Sequence, residues 1–230
     1  MNTEDDGRRR WRSTVTATRL APGAAAALIL IPLLIFGVLA VEVARQGSFA
    51  FDRTVMLWVH GATTPWLTDA ATFVSLLGGK GVPVAAALTA LVLCVRRRWV
   101  DAGFVLAAYF AASRINVALK ALFERTRPDF WEHLSAENTF SFPSGHAMGS
   151  MSIAAPLVVL AWGTRYRWPA LVAAAFYVLA VGASRVYLGV HFPSDVIAGW
   201  CMTVAVVAVF VVIVQVVSQR IRRRAPALAH

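Results

Sequence analysis

The sequence predicts an all-α, polytopic membrane protein: a bundle of six transmembrane helices with both termini on the cytoplasmic side. Two observations carry this. Apolar residues make up 58% of the chain and charged residues only 15%, against roughly 45–50% and 25% in soluble proteins. The 22 basic residues are also unevenly placed. Most fall in the N-terminal stretch (Arg8, Arg9, Arg10, Arg12, Arg19), the 96–98 loop, the turn at Arg165 and Arg167, and the C-terminal run Arg220, Arg222, Arg223 and Arg224. Basic loops stay cytoplasmic. The net charge of +10 is therefore a topology signal with anionic headgroups as its counterpart, and no nucleic-acid partner is expected.

Three regions are expected: a basic, flexible cytoplasmic tail over 1–23, a six-span domain over 24–217 and a second basic tail over 218–230. Ala24 to Val43 is long enough to cross a bilayer, which needs about 20 residues, and Pro32 sits inside it. Residues 44 to 71 form an extended connection, with Phe51 to His60 as an interfacial helix beside Trp58 and Trp66. Span two covers about Thr72 to Val95, with Gly78, Gly79 and Gly81 interrupting it near its outer end around Lys80. Span three is about Ala102 to Leu122. A polar connection over 123–143 follows, and Pro143-Ser144-Gly145-His146 opens span four, which ends near Trp162. Span five is about Trp168 to Ala183. Span six runs from about Val196 to Val217. Cys94 and Cys201 read as small apolar residues.

This topology gathers three polar segments at the outer ends of the helices. Arg185, His191 and Asp195 stand within one short stretch of almost wholly apolar sequence, where polar groups are costly and a functional site is the default reading. Pro193 suits the first turn of a helix, so Asp195 falls just inside a new helix and His191 just before it. Their spacing of four places them on one face. The carboxylate would fix the imidazole tautomer and raise its basicity. Lys120 and Arg127, seven apart, would stack on one face if the helix continued between them. With Arg185 they supply fixed cations, Arg as a fork and Lys as a point charge. Ser144 and Gly145 stand at a helix start, where backbone N–H groups and the helix dipole favour an anion. Phosphate fits this cradle best, although carboxylate or sulfate is physically admissible.

Two histidines complete the set. His191, with its carboxylate, is assigned the attack on phosphorus. His146 becomes the acid that protonates the leaving oxygen and later the base that activates water. Asp195 orients His191 and stabilises its positive charge. No carboxylate cluster suggests Mg²⁺, so metal-independent chemistry without a cofactor is expected. Arg125 is expected to be solvated, Arg114 to make an internal salt bridge or polar packing, Glu124 to hold Lys120, and His60 and His133 to be ordinary loop histidines. A phospholipid transporter or binding module would need the cations but not both histidines and Asp195. A phosphotransferase would need an acceptor pocket.

The segments Lys120-(six residues)-Arg127-Pro128, Pro143-Ser144-Gly145-His146 and Ser184-Arg185-(five residues)-His191-(three residues)-Asp195 resemble, in order and spacing, the three signature motifs of the type 2 phosphatidic acid phosphatase superfamily. The resemblance covers nearly the whole chain after the N-terminal tail. It implies an all-helical core, a phosphohistidine intermediate on His191, and a lipid phosphate or isoprenoid diphosphate as substrate. The undecaprenyl carrier is the first expectation; phosphatidylglycerophosphate and phosphatidic acid are alternatives.

Overall fold

The computed structural model describes residues 14–17, 20–46, 49–131 and 139–224, and these contain helices and no strand. The helices are α1 (Thr14–Ala17), α2 (Pro22–Gln46), α3 (Ala50–His60), α4 (Pro65–Gly78), α5 (Gly81–Val95), α6 (Trp99–Phe123), α7 (Gly145–Ala161), α8 (Arg167–Tyr187) and α9 (Pro193–Arg224). By length and composition α2, α6, α8 and α9 can each cross a membrane, and α4 with α5 can form one further span bent by 45°. The glycine break therefore lies in the middle of this unit. The helical run begins at Pro65, which stands at its first position and needs no N–H there, well before the Thr72 start expected from hydropathy. Leu34, Val172 and Phe176 are exposed, an arrangement suited to surroundings of lipid tails.

The shortest of the expected spans is the central one. Helix α7 has 17 residues and packs against α6, α8 and α9, with further contacts to α1, α4 and α5. Half of its buried residues are Ala or Ser (Ala147, Ser150, Ser152 and Ala154), which lets neighbouring backbones approach closely. The closest approach lies at its start. A Cβ on Gly199 of α9 would stand 2.9 Å from the Ser144 carbonyl oxygen and 3.1 Å from the Ala147 Cβ. Only a residue without a side chain permits this crossing, which brings the first turns of α7 and α9 together.

Residues 14–17, within the expected N-terminal tail, pack against the bundle. Val15 is buried, and Asp101 accepts hydrogen bonds from the backbone N–H groups of Thr14 and Val15, each at 3.2 Å. Arg98 donates to Asp101 at 2.7 Å and to the Thr14 hydroxyl at 2.5 Å. A carboxylate meeting the free N–H groups of a helix start thus docks part of the expected flexible tail. At the other end α9 stays helical to Arg224. Arg8, Arg9, Arg10, Arg12, Arg19, His133 and His230 lie outside the described residues.

Candidate active site

Asp195 is the third residue of α9. Its Oδ2 accepts from the Phe192 backbone N–H at 2.9 Å, capping the turn that Pro193 opens. This places His191 just before the helix, as the proline predicts. His191 Nδ1 lies 3.3 Å from Asp195 Oδ2 and 3.3 Å from Ser141 Oγ, and Ser141 Oγ also donates to Asp195 Oδ2. Two oxygens on Nδ1 favour the tautomer with its proton there, leaving the Nε2 lone pair on the other side of the ring. Nε2 is 3.3 Å from the Arg127 guanidinium. His191 is buried. Its pKa is pushed down to about 3: loss of water lowers it most, the Asp195 hydrogen bond and charge oppose this, and the charges of Arg127 and Arg185 add to the lowering. Burial thus outweighs the expected rise in basicity, and the ring stays neutral at physiological pH.

The two cations of the first motif do not share a helix face. Helix α6 ends at Phe123, and Glu124 follows in the left-handed region at φ 45°, a common way for a helix to stop. Pro128 disfavours helical backbone at Arg127. The cations meet through the loop before α7 instead. Lys120 Nζ donates to Thr139 Oγ1 at 3.1 Å and to the Phe140 carbonyl. Arg127 donates to the Thr139 carbonyl at 2.8 Å and to the Val190 carbonyl at 2.6 Å. These contacts, rather than one to Glu124, position Lys120.

Ser144 and Gly145 open α7 as expected. The Ser144 hydroxyl is buried and accepts from the Ala147 N–H at 3.4 Å, so it serves as the helix cap. The Ser144 N–H donates to the Asp195 carbonyl at 3.0 Å, fastening the second motif to the third. A Cβ on Gly145 would stand 3.0 Å from Asn116 Oδ1. His146 lines a cavity of about 240 Å³ with Gly78, Gly79, Tyr109, Asn116, Gly145 and Met148 among its walls. Gly79 makes room for it: a Cβ there would stand 2.6 Å from His146 Nε2. The break between α4 and α5 thus leaves space for an imidazole. Arg185 is buried and donates to Ser75 Oγ of α4, and its charge reaches His191. Ser184 packs inward, bonding the Val181 carbonyl at 2.7 Å.

Several residues depart from their expected parts. Arg125 is buried and ion-paired to both Asp52 and Asp195, because its loop turns inward beneath the first turn of α9. Arg114 is exposed and makes no ion pair with a described residue. His60 closes α3 and stacks on Trp131, with ring centroids 4.1 Å apart. Ser141, Asn116, Ser75 and Asp52 were not marked by spacing. Their only signal is a polar side chain in or beside apolar sequence. Among the described residues no group of three or more His, Cys, Asp or Glu side chains is placed to hold a metal ion.

Known proteins resemble this chain over most of its length. Phosphatidylglycerophosphatase B of Bacillus subtilis is 30% identical over 178 residues, covering 74% of this chain and 86% of that protein. Decaprenylphosphoryl-5-phosphoribose phosphatase of Mycobacterium tuberculosis is 38% identical over 130 residues, covering 55% and 67%. The crystal structure of a transmembrane PAP2 type phosphatidylglycerolphosphate phosphatase from Bacillus subtilis superposes with a TM-score of 0.70 at 29% identity, over 80% of this chain and 94% of that one. The PAP2 superfamily model matches residues 99–219, the stretch that carries all three motif segments, and the chain belongs to the PAP2 superfamily.

Proposed function

We propose that this protein hydrolyses the terminal phosphate of a membrane lipid phosphate through a phosphohistidine on His191. The observation that carries the reading is the His191 imidazole, held between Asp195 and Ser141 at Nδ1 and facing Arg127 at Nε2. Nε2 attacks phosphorus, and the bond from phosphorus to the leaving oxygen breaks. His146 gives its proton to that oxygen. His146 then removes a proton from water, the water oxygen attacks phosphorus, and the N–P bond breaks to release inorganic phosphate and neutral His191. Lys120, Arg127, Arg185 and the first N–H groups of α7 from Gly145 onward offset charge on the equatorial oxygens, while Ser144 caps that helix and ties it to Asp195. Asp195 stabilises the cationic ring while it carries the phosphoryl group. No metal takes part in this scheme.

Phosphatidylglycerophosphate is the substrate that the Bacillus relatives favour. An isoprenoid diphosphate such as undecaprenyl diphosphate is the second reading, favoured by the isoprenoid phosphate in the mycobacterial relative's name. In the topology we infer, α2, the bent pair α4–α5, α6, α7, α8 and α9 are the six spans. Helix α7 can be short because other helices surround it. The basic loops and both termini are cytoplasmic, and the site opens on the extracytoplasmic side of the cell membrane.

Protein purified in detergent with chelator should release phosphate from these lipids, and their relative kcat/KM identifies the substrate. His191→Ala should lower kcat at least ~10³-fold, and His146→Ala, which loses the acid of the first step and the base of the second, should lower kcat by about 10²–10⁴-fold. Strict dependence on added divalent metal, or near-normal turnover in His191→Ala, would contradict the scheme.

The buried ring also predicts a pH effect on stability. The unfolded chain binds a proton at His191 below about pH 6.5, whereas the folded protein does so only near pH 3. Stability should therefore be fully present above about pH 6.5 and fall as pH drops toward 3. Thermal unfolding in detergent should show a steeper fall between pH 6.5 and 4 than the His191→Gln variant shows. Equal slopes would contradict the burial argument.

Topology is testable in a Cys94→Ala/Cys201→Ala background. Thr139→Cys should react with an impermeant thiol reagent in intact cells, and Gly163→Cys only after lysis. The reverse pattern would invert the assignment.

A further inference from the structure

Two buried charges beside Asp195, on Arg125 and Asp52, have no part in the scheme so far. Arg125 reaches from the loop after α6 to the first turn of α9. One guanidinium nitrogen meets Asp195 Oδ1 and donates to Ser194 Oγ at 2.9 Å. The other donates to Asp52 Oδ2 at 3.0 Å. The guanidinium carbon lies over the Phe192 ring, 4.0 Å from its centroid. Asp52, on α3, is fully buried. Its Oδ1 accepts from the Ser194 N–H at 2.9 Å, and its Oδ2 accepts from the Ser194 hydroxyl at 2.6 Å and the Phe49 N–H at 3.3 Å. Asp52 thus caps the first turn of two helices, its own and the one that carries Asp195.

The arrangement matters because His191 becomes cationic when it carries a phosphoryl group. A carboxylate paired only with a buried guanidinium is electrically cancelled and does little for a second cation. Here the guanidinium is shared. Asp52, Arg125 and Asp195 together carry one net negative charge, which lies against His191. Arg127 and Arg185 bring positive charge near the same ring, so a cancelled Asp195 would leave the phosphorylated imidazole without its carboxylate countercharge beside these two cations. A purely structural Arg125 would need one carboxylate, and the second would add the cost of burying another charge.

We infer that Asp52 and Arg125 are positioning residues for the phosphoryl-transfer step. Arg125 fixes the Asp195 carboxylate against His191, and the Asp52 charge draws on Arg125 so that Asp195 keeps its negative charge for the phosphohistidine. This rests on the reading of His191 as nucleophile. A carboxylate separated from His191 by Arg125 and Asp195, on a helix outside the matched 99–219 segment, thereby tunes the reaction.

A double-mutant cycle with phosphatidylglycerophosphate in detergent tests it. Asp52→Asn removes the countercharge and leaves Asp195 cancelled. It should lower kcat about 10–100-fold, the range for second-layer partners of a working imidazole, with KM within about 2-fold because substrate contacts are untouched. Arg125→Met leaves two buried carboxylates facing each other and should be slow and less heat-stable. Asp52→Asn/Arg125→Met restores one net negative charge at Asp195. Its loss of kcat should be at least about 3-fold smaller than the product of the losses in Asp52→Asn and Arg125→Met, a coupling that independent sites do not show. Arg125→Lys, which keeps the charge, should retain more activity than Arg125→Met.

A wild-type kcat in Asp52→Asn, or a double variant whose loss equals the product of the two single losses, would overturn the inference. If the Arg125→Met proteins do not purify as folded material, the kcat-against-KM split of Asp52→Asn decides alone: a rise in KM at unchanged kcat rejects it. His191→Ala runs in parallel. An inactive His191→Ala beside a fully active Asp52→Asn rejects this inference only, whereas an active His191→Ala rejects the nucleophile assignment beneath it.

Discussion

Asp195 is where the fold and the chemistry are joined. One oxygen meets Arg125, and the other accepts from Ser141 and the Phe192 N–H and faces His191. Its backbone carbonyl takes the Ser144 N–H. The start of α9, the start of α7, the loop after α6 and, through Arg125 and Asp52, helix α3 all converge on this residue. A buried carboxylate is costly unless nearly every lone pair is used. Here the partners that satisfy it are also those that aim the imidazole, so the site's geometry follows from the need to pay for a charge in apolar surroundings.

The same constraint explains the unusual backbone around the site. Cations gathered at one end of an apolar bundle need short, well-directed routes to carbonyls and hydroxyls. Arg127 takes the Thr139 and Val190 carbonyls, Lys120 takes Thr139 and Phe140, and Arg185 takes Ser75. Helices must therefore stop or bend nearby. Helix α6 stops at the left-handed Glu124, and α4 and α5 part at Gly79, beside His146. Gly199 lets α9 cross the start of α7 at contact distance. Irregular backbone is tolerated at such depth where other protein groups satisfy it.

Much of this was legible in the sequence because it is written in local patterns. Long apolar runs marked α2, α6, α8 and α9, and Pro193 placed Asp195 one turn inside its helix and His191 just before it. The motif residues His191, Asp195 and Arg127 do meet. What was not legible depends on pairing across the chain. Nothing local shows that Arg125, two residues before Arg127, turns inward to Asp52 and Asp195. The stacking of Lys120 and Arg127 assumed a helix that Glu124 ends. Residues 14–17 looked like tail because their anchor, Asp101, lies far along the sequence. The early start of α4 escaped hydropathy because Pro65–Ala71 carries polar residues.

The central claim is that His191 and His146 act on one phosphorus from opposite sides. An experimental structure with orthovanadate, a mimic of the five-coordinate phosphoryl group in flight, tests it most directly. The account predicts vanadium bonded to His191 Nε2, equatorial oxygens toward Lys120, Arg127 and Arg185, and His146 within about 3 Å of the far apical oxygen. Vanadate held away from His191, or His146 turned toward the other side of the membrane, would contradict it.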